Sequence, residues 1–426
     1  MADSERGAEK SKVETAILVG CGTADISNDP DLKVLDELAE LAKTADTEPI
    51  ARVYQKRSRP DTAFYVGKGK ADEITSLRRD EEADVVIFDV ELTPRQLSNL
   101  EEKIGCRVLD RSEVIIDIFA THARSQASRL QVELAQLRYT RPRLKRMWTH
   151  LSRIAGQGGI GSRGPGEKQI ETDRRLIDRR LNHLEQQLQE IKVRKERQVK
   201  TRSDELTMSL IGYTNAGKST LMNCLTDAAV FQADMLFATL DTKTSDFELP
   251  SGQKVLISDT VGFIKNLPHH LVASFHATLE EVRQAKLLLH VVDAASPGVK
   301  ERIDTVHRVL YDELKIGDHE ELVIFNKIDR VEDASEINLL KGQFDHFIEV
   351  SAKTGEGIDK LLEAITEFAD RDRKVLNLSI PAGDGKTLAE LNRVGEILDQ
   401  EYIEDSVRIR VRLALEHVSR FEAFAG

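Results

Sequence analysis

The 426-residue chain is poor in cysteine, tryptophan and long apolar runs, and each shortage excludes something. Its three cysteines, Cys21, Cys106 and Cys224, stand far apart. They cannot build a disulfide framework, and none has a neighbour at zinc-ligand spacing. One tryptophan, Trp148, and 5% aromatic residues leave too few flat side chains for a base-stacking platform, while contacts to a nucleic-acid backbone stay open. No unbroken apolar run exceeds about six residues, against the roughly 20 that a membrane span needs. No membrane insertion is expected. Residues 1–12 mix both charge signs and lack the apolar stretch and small-residue cleavage site of a secretory signal, so a cytoplasmic location is expected.

What is present is an ordinary soluble composition, 40% hydrophobic and 31% charged, long enough for about two to four domains. The net charge of −12 is unevenly spread. Residues 138–203 carry 18 Lys+Arg against 7 Asp+Glu, a net +11, which leaves −23 on the rest of the chain. A basic arm therefore sits between acidic bodies. Charge alone fits either a solvated helix face or the footprint of a polyphosphate partner.

Residues 13–110 alternate short β-rich apolar runs (13–19, 49–54, 85–88, 107–109) with helical patterns near 32–42, 71–82 and after Pro94, which reads as a small α/β unit. Its Gly67-Lys68-Gly69-Lys70 turn reads more simply as a turn before a helix than as a phosphate contact. Leu130, Leu134, Leu137, Arg141, Leu144 and Trp148 step by 4, 3, 4, 3 and 4, and Ile177, Leu181, Leu184, Leu188 and Ile191 repeat that spacing. Two heptad stripes joined by a loop predict an antiparallel helical hairpin over 111–203, broken near Arg141-Pro142. The connecting loop, residues 156–166, holds six glycines in eleven residues, with Arg153, Arg163 and Lys168 close by. It reads either as a flexible connector or as a tip that approaches RNA. A second α/β domain with a doubly wound sheet is expected over 204–372 and a small βαβ appendage over 373–426, with a strand at 375–380, a helix at 388–398 and a strand at 407–413.

Gly212-Tyr213-Thr214-Asn215-Ala216-Gly217-Lys218-Ser219 lies between a strand pattern and a helical run, the context a P-loop requires. Backbone N–H groups converge on phosphates there, Lys218 reaches the β/γ oxygens and the Ser219 hydroxyl ligates Mg²⁺. Asp259-Thr260-Val261-Gly262 follows the strand at 254–258, where Asp259 holds Mg²⁺ through water and the Gly262 N–H senses the γ-phosphate. Asn326-Lys327-Ile328-Asp329 follows another strand, and the Asp329 carboxylate matches the paired N–H donors of guanine, which adenine lacks. Ser351-Ala352-Lys353 supplies an N–H for the guanine carbonyl oxygen. The four in this order specify a GTP-binding, GTP-hydrolysing domain.

Phe237-Ala238-Thr239-Leu240-Asp241 lies where a switch threonine is needed over Mg²⁺, and by spacing Thr239, Thr242 and Thr244 all qualify. Phe263 occupies the position where many such switches carry a water-orienting glutamine. Phenylalanine cannot orient water, so unassisted hydrolysis is expected on the order of 10⁻⁴ to 10⁻² per second. Asn215 has two readings, a carbonyl that helps hold K⁺ against the phosphates or a residue that merely shapes the loop.

With these residues in hand, the chain resembles the HflX family, ribosome-associated GTPases of the Obg–HflX group, over roughly residues 13–375. The strings that carry the likeness lie outside the generic motifs: residues 65–70 (YVGKGK), 109–111 with 116–119 (LDR, IDIF), 130–137 (LQVELAQL), 158–161 with 163–167 (GGIG, RGPGE) and 171–175 (ETDRR). The resemblance implies a GTP form that binds the large ribosomal subunit and splits stalled or idle ribosomes, with the glycine loop reaching toward the peptidyl transferase region. It favours Thr239 as the Mg²⁺ threonine. Where relatives continue that string with Pro-Thr-Thr/Leu-Arg-Arg, this chain reads Thr242-Lys243-Thr244-Ser245-Asp246, which bears on switch kinetics.

The expectation is thus a monomeric GTPase with Mg²⁺, whose basic hairpin contacts rRNA through Arg153, Arg163 and Lys168. Two rivals differ in class: a GTP-gated protein adaptor, and an RNA-remodelling NTPase that uses ATP through the N-terminal unit.

Overall fold

The computed structural model describes residues 13–23, 29, 32–144, 165–200, 206–226, 235–268, 271, 280–317, 319–371, 373–403 and 405–425, without the side chains of 165–169, 195–200 and 416. Three sheets organise them.

The first unit is built around two inner strands whose near-continuous apolar runs suit burial on both faces of a parallel sheet. Strands β1 (Glu14–Gly22), β2 (Thr47–Lys56), β3 (Val85–Phe88) and β4 (Arg107–Asp110) pair in the order β2-β1-β3-β4, all parallel. Helices α1 (Asp36–Thr44), α2 (Lys68–Asp80) and α3 (Pro94–Ile104) form the crossovers. Local chemistry fixes α3: Thr93 and Gln96 make a capping box, Pro94 opens the first turn, and Gly105 closes the helix at φ 79°. The unit does not stop at residue 110. Asp110 Oδ1 accepts the Glu113 N–H at 2.9 Å and so caps α4 (Arg111–His122), whose Val114, Ile115, Ile118 and Phe119 share a core with Ala16, Leu18 and Leu38. A division between 110 and 111 therefore cuts one continuous core.

The hairpin follows as α5 (Gln126–Thr140), a 3₁₀ turn at Arg141–Arg143 and α6 (Pro165–Lys200). The 3₁₀ turn falls where Pro142 removes a helix donor. At about 1.5 Å per residue, the 36 residues of α6 extend roughly 54 Å. Leu134, Leu184 and Leu188 form a buried seam flanked by Leu130, Leu137 and Leu181. Ion pairs join Glu133 to Arg180, Arg138 to Glu185 and Arg141 to Asp178; from the second to the third the chain rises along α5 into its 3₁₀ turn while it falls along α6, as in an antiparallel pair. Residues 156–164, with Arg153 and Arg163, lie outside the described residues, as does the Lys168 side chain.

In the GTPase unit, β5 (Leu206–Gly212), β6 (Lys243–Glu248), β7 (Lys254–Asp259), β8 (Leu287–Asp293), β9 (Glu320–Asn326) and β10 (Phe347–Glu349) form a sheet in the order β10-β9-β8-β5-β7-β6. Only β6 is antiparallel. Helices α7 (Lys218–Leu225), α8 (Glu280–Gln284), α9 (Val299–His307), α10 (Ser335–Lys341) and α11 (Ile358–Asp370) complete it, with a π-helical turn at Arg308–Glu313. Phe237, Phe263, Ile211 and Leu288 belong to the same buried cluster as Leu18, Leu38 and Phe119. The N-terminal and GTPase units thus pack through a shared apolar core.

The tail corrects the βαβ expectation. It runs β11 (Arg373–Pro381), α12 (Gly385–Val394), β12 (Gly395–Ile403), β13 (Ser406–Ala414) and α13 (Leu415–Phe421), with an antiparallel sheet ordered β11-β13-β12. The helix expected over 388–398 ends at Val394, and Gly395 begins a strand instead. A Cβ there would approach Val411 Cγ2 at 2.6 Å, so glycine lets β12 close onto β13. No described helix is long and apolar enough to cross a membrane.

Candidate functional site

The site lies at the C-terminal edge of the second sheet, where open α/β sheets bind ligands. The loop 212–217 leaves β5 and enters α7 through two glycines at positive φ, Gly212 (144°) and Gly217 (95°). Neither has room for a Cβ: one would strike the Val291 carbonyl and the other the Asn326 amide. The backbone has to turn where only glycine fits. Asn215 is also left-handed at φ 58°, a conformation that asparagine tolerates, so the structure gives it a part in shaping the loop.

Lys218 is buried and donates to the carbonyls of Gly212 at 3.2 Å and Tyr213 at 3.0 Å. Burial lowers its pKa to about 8; the Asp259 carboxylate opposes that shift and the Lys327 ammonium adds to it. Next to it, the Ser219 hydroxyl lies 2.8 Å from Thr239 Oγ1 and donates to Asp259 Oδ2 at 2.6 Å. Asp259 is wholly buried, its pKa raised by that burial against the pull of Lys218, and its Oδ1 has no hydrogen-bond partner among the described residues. Two hydroxyls and an unsatisfied buried carboxylate oxygen make an all-oxygen donor set that fits Mg²⁺. Distance separates the three candidate threonines: Thr242 and Thr244 instead donate to Glu281, at 3.0 and 3.3 Å. Spacing alone leaves the three open, and the family resemblance favours Thr239.

The switch segments lean on the same loop. Thr214 Oγ1 accepts the Phe237 N–H at 2.8 Å, the Thr214 N–H donates to the Phe263 carbonyl at 2.7 Å, and the Phe263 N–H donates to Gly212 O at 3.1 Å. The Thr260 hydroxyl donates to Leu210 O at 2.6 Å, and the position of a Gly262 Cβ is 2.6 Å from Thr214 Cα, a gap only glycine leaves. Phe263 is buried in the shared core and contributes packing there, with Leu240 and Val261 alongside. Ala238 and Thr239 line the cleft beside Lys218.

The residues expected to meet the base lie after β9 and in the loop after β10. Asn326 is a brace: its Nδ2 donates to Ala216 O at 2.9 Å and its Oδ1 accepts the Ala352 N–H at 3.0 Å. Lys327 Nζ donates to Asn215 O at 2.8 Å and to Asp293 at 2.9 Å. Asp329 follows Ile328 on a 3₁₀ turn, and its Oδ1 accepts the Ser351 hydroxyl at 2.6 Å, which leaves Oδ2 for a ligand. Lys353 is exposed. Of the expected residues, Thr214, Asn215, Gly217, Lys218, Ser219, Phe237, Ala238, Thr239, Thr260 and Gly262 line one cleft, and Asn326 ties the loops that carry Asp329 and Ala352 to its edge.

Three family profiles divide the chain. "GTP-binding GTPase N-terminal" matches residues 33–120, "GTP-binding GTPase Middle Region" residues 122–202, and "50S ribosome-binding GTPase" residues 207–327. The GTPase HflX of Escherichia coli strain K12 is 42% identical over 394 residues, covering 91% of this chain and 92% of that protein. The chain belongs to the HflX GTPase family. The GTPase HflX of Caldanaerobacter subterraneus subsp. tengcongensis is 41% identical over 413 residues, 96% of this chain and 94% of its own. Among solved structures, a crystal structure of SsGBP with GDP is similar at 24% identity and a TM-score of 0.46, covering 84% of this chain and 99% of that one. As an HflX GTPase, the chain is a GTP hydrolase.

What sequence reading missed is how this HflX chain ties its N-terminal part to the nucleotide loops. The Tyr213 phenol donates to Glu37 of α1 and accepts the Lys265 N–H at 2.8 Å, while the Arg302 guanidinium sits 4.9 Å from its ring centroid. Buried Arg111 joins Glu37 to Asp89. Burial first, then Glu37, raise the Tyr213 pKa. On the other switch, Phe237 packs edge-to-face on Phe119 at 4.7 Å between centroids. Asp241 accepts the backbone N–H groups of Ser125 at 2.9 Å and Arg124 at 3.3 Å and the Ser125 hydroxyl at 2.5 Å, at the first turn of α5. Burial raises the Asp241 pKa, but hydrogen bonds from Ser125 and Ser128 outweigh it and the net shift is downward. Arg111 stands within a string shared with the family; nothing local in the sequence marks Glu37 or Ser125.

Proposed function

We propose that this HflX GTPase binds the large ribosomal subunit in its GTP form and splits stalled or idle ribosomes, acting as a monomer in the cytoplasm. The observation that carries the reading is the contact of Asp241 with Ser125. The segment holding Thr239 also holds the N-terminus of the first arm helix, so ordering one orders the other.

In this account the N–H groups of the loop 212–219 and the Lys218 ammonium bind the β- and γ-phosphates. Asp329 selects guanine through its paired N–H donors, a backbone N–H of the Ser351-Ala352-Lys353 loop meets the base carbonyl, and Asn326, which holds the Ala352 N–H, keeps the two loops together. Ser219 and Thr239 would hold Mg²⁺ with Asp259 beside them, and the ion, when bound, would supply positive charge against the phosphate oxygens. Phe263 supplies no group to the attacking water, so unassisted turnover stays slow. Hydrolysis releases Thr239 and relaxes Asp241. The basic arm, with Arg153, Arg163 and Lys168, then loses its pose on rRNA.

The test follows dissociation of intact ribosomes by light scattering. Wild-type protein with a non-hydrolysable GTP analogue splits them. Arg153→Glu with Arg163→Glu fails to split them at unchanged GTP affinity; splitting by that variant at the wild-type rate refutes the role of the arm.

A further inference from the structure

Away from the nucleotide cleft, three metal-ligating side chains from three separate elements meet beneath the sheet. His290 lies in the middle of β8, His307 ends α9, and Glu321 is the second residue of β9. His290 Nδ1 is 2.6 Å from Glu321 Oε1 and His307 Nε2 is 2.9 Å from the same oxygen and 3.1 Å from Oε2. All three ligand atoms fall within 4.8 Å of one another. Two imidazoles and a carboxylate aimed at one point are a zinc-type donor set.

From these observations we infer that His290, His307 and Glu321 form a binding site for a divalent transition metal of the zinc class, separate from the Mg²⁺ pocket. Ligand separations bear on the fit. Tetrahedral zinc with bonds of about 2.1 Å holds its ligand atoms about 3.4 Å apart, so the two imidazole contacts to Glu321 open by less than about 1 Å on binding, and the imidazole nitrogens, within 4.8 Å of each other, draw together by at most about 1.4 Å. His307 can supply that movement, because its side chain is 30% exposed while His290 is 1% exposed and fixed in the sheet. The exposed side of His307 is also the route of entry. A fourth oxygen is at hand: the Tyr311 hydroxyl lies 3.3 Å from Glu321 Oε2, brought there by the π-helical turn that begins directly after His307. Such turns are rare and occur frequently at functional sites. His290 pairs with Ile211 of β5, and β8 and β9 end at Asp293 and Asn326, both beside the nucleotide loop. An ion here would pin the segment after α9 to the two strands that carry those residues.

The alternative for these contacts is a metal-free His–Glu–His hydrogen-bonded brace, and one experiment separates the two. Full-length protein, stripped with a chelator, is titrated with zinc against a chromophoric indicator and separately with cobalt(II), whose visible absorption reports tetrahedral nitrogen and oxygen ligation. The expected result is one equivalent in the wild type with an intense tetrahedral cobalt band, affinity lowered at least 100-fold in Glu321→Gln and in His307→Gln, and no change in His417→Gln. His307→Gln retains the bulk of a partly exposed side chain, and its metal-free melting temperature and GDP affinity verify that it is folded. Absence of zinc binding in the wild type overturns the site, as does binding that survives both ligand substitutions. Because the readout is metal binding, it is independent of whether the protein acts on ribosomes.

Discussion

Removing the Asp241 carboxylate should release the hairpin from the nucleotide loops without harming the nucleotide pocket itself. Three donors converge on that side chain, the N–H groups of Arg124 and Ser125 and the Ser125 hydroxyl. Hydrogen bonds to a charged acceptor contribute about 1.5–3 kcal/mol each when buried. The carboxylate is partly exposed and the three share one side chain, so a discounted total of about 2 kcal/mol is appropriate. That corresponds to a factor of roughly 30 in the balance between held and released arm. In Asp241→Ala, amide hydrogen exchange at the start of α5, near Ser128, should accelerate by about that factor in the analogue-bound protein, while affinity for GDP, in whose complex the contact is relaxed, stays within about twofold. Ser125→Ala should behave similarly, and the double variant should add little, because both remove one contact. The sign of the pH dependence follows from the lowered pKa of Asp241. The contact contributes fully above the ordinary carboxylate value near 4 and fades only as the pH falls through the lower folded-state value, so protection against exchange, relative to the intrinsic base-catalysed rate, should be flat in the wild type between pH 6 and 8. Additive effects, or exchange unchanged by Asp241→Ala, would refute the coupling.

Other expectations follow from the same geometry. Because the Lys218 pKa is about 8 and phosphate needs the ammonium form, GTP affinity should be level below pH 8 and fall toward tenfold per unit above it; affinity flat to pH 9.5 would contradict that. Lys218→Ala should abolish both GTP and ATP turnover, and ATP turnover that survives would favour an ATPase in the N-terminal unit. Phe119→Ala removes a buried ring packed edge-to-face on Phe237 and should lower stability by about 3–5 kcal/mol in denaturant titration. Hydrolysis should be faster in K⁺ than in Na⁺ and lose that difference in Asn215→Ala; equal rates in both salts would leave Asn215 with its left-handed loop conformation alone.

Local signals made most of the fold legible. The buried parallel strands show as apolar runs, α3 carries its own cap and stop, and the heptad stripes with Pro142 mark both the hairpin and its break. The pocket was legible for a related reason: each motif sits at the end of a strand, and a parallel sheet brings strand ends together. What escaped is long in sequence or ambiguous in period. Glu37 and Tyr213 are 176 residues apart, and Asp241 and Ser125 116 apart, with no local pattern to announce either pair. In the tail, Leu388, Leu391, Val394 and Leu398 keep a helical period across Gly395, and only pairing with β13 turns the second half into a strand. Strand β6 is polar at an edge and carries no apolar run at all.

Co-sedimentation of large ribosomal subunits with this HflX GTPase, loaded in parallel with a non-hydrolysable GTP analogue or with GDP at one salt concentration, tests the central claim most directly. The account predicts strong association with the analogue, weak association with GDP, and a steep loss of both as salt rises. Equal association in the two nucleotide states would contradict it.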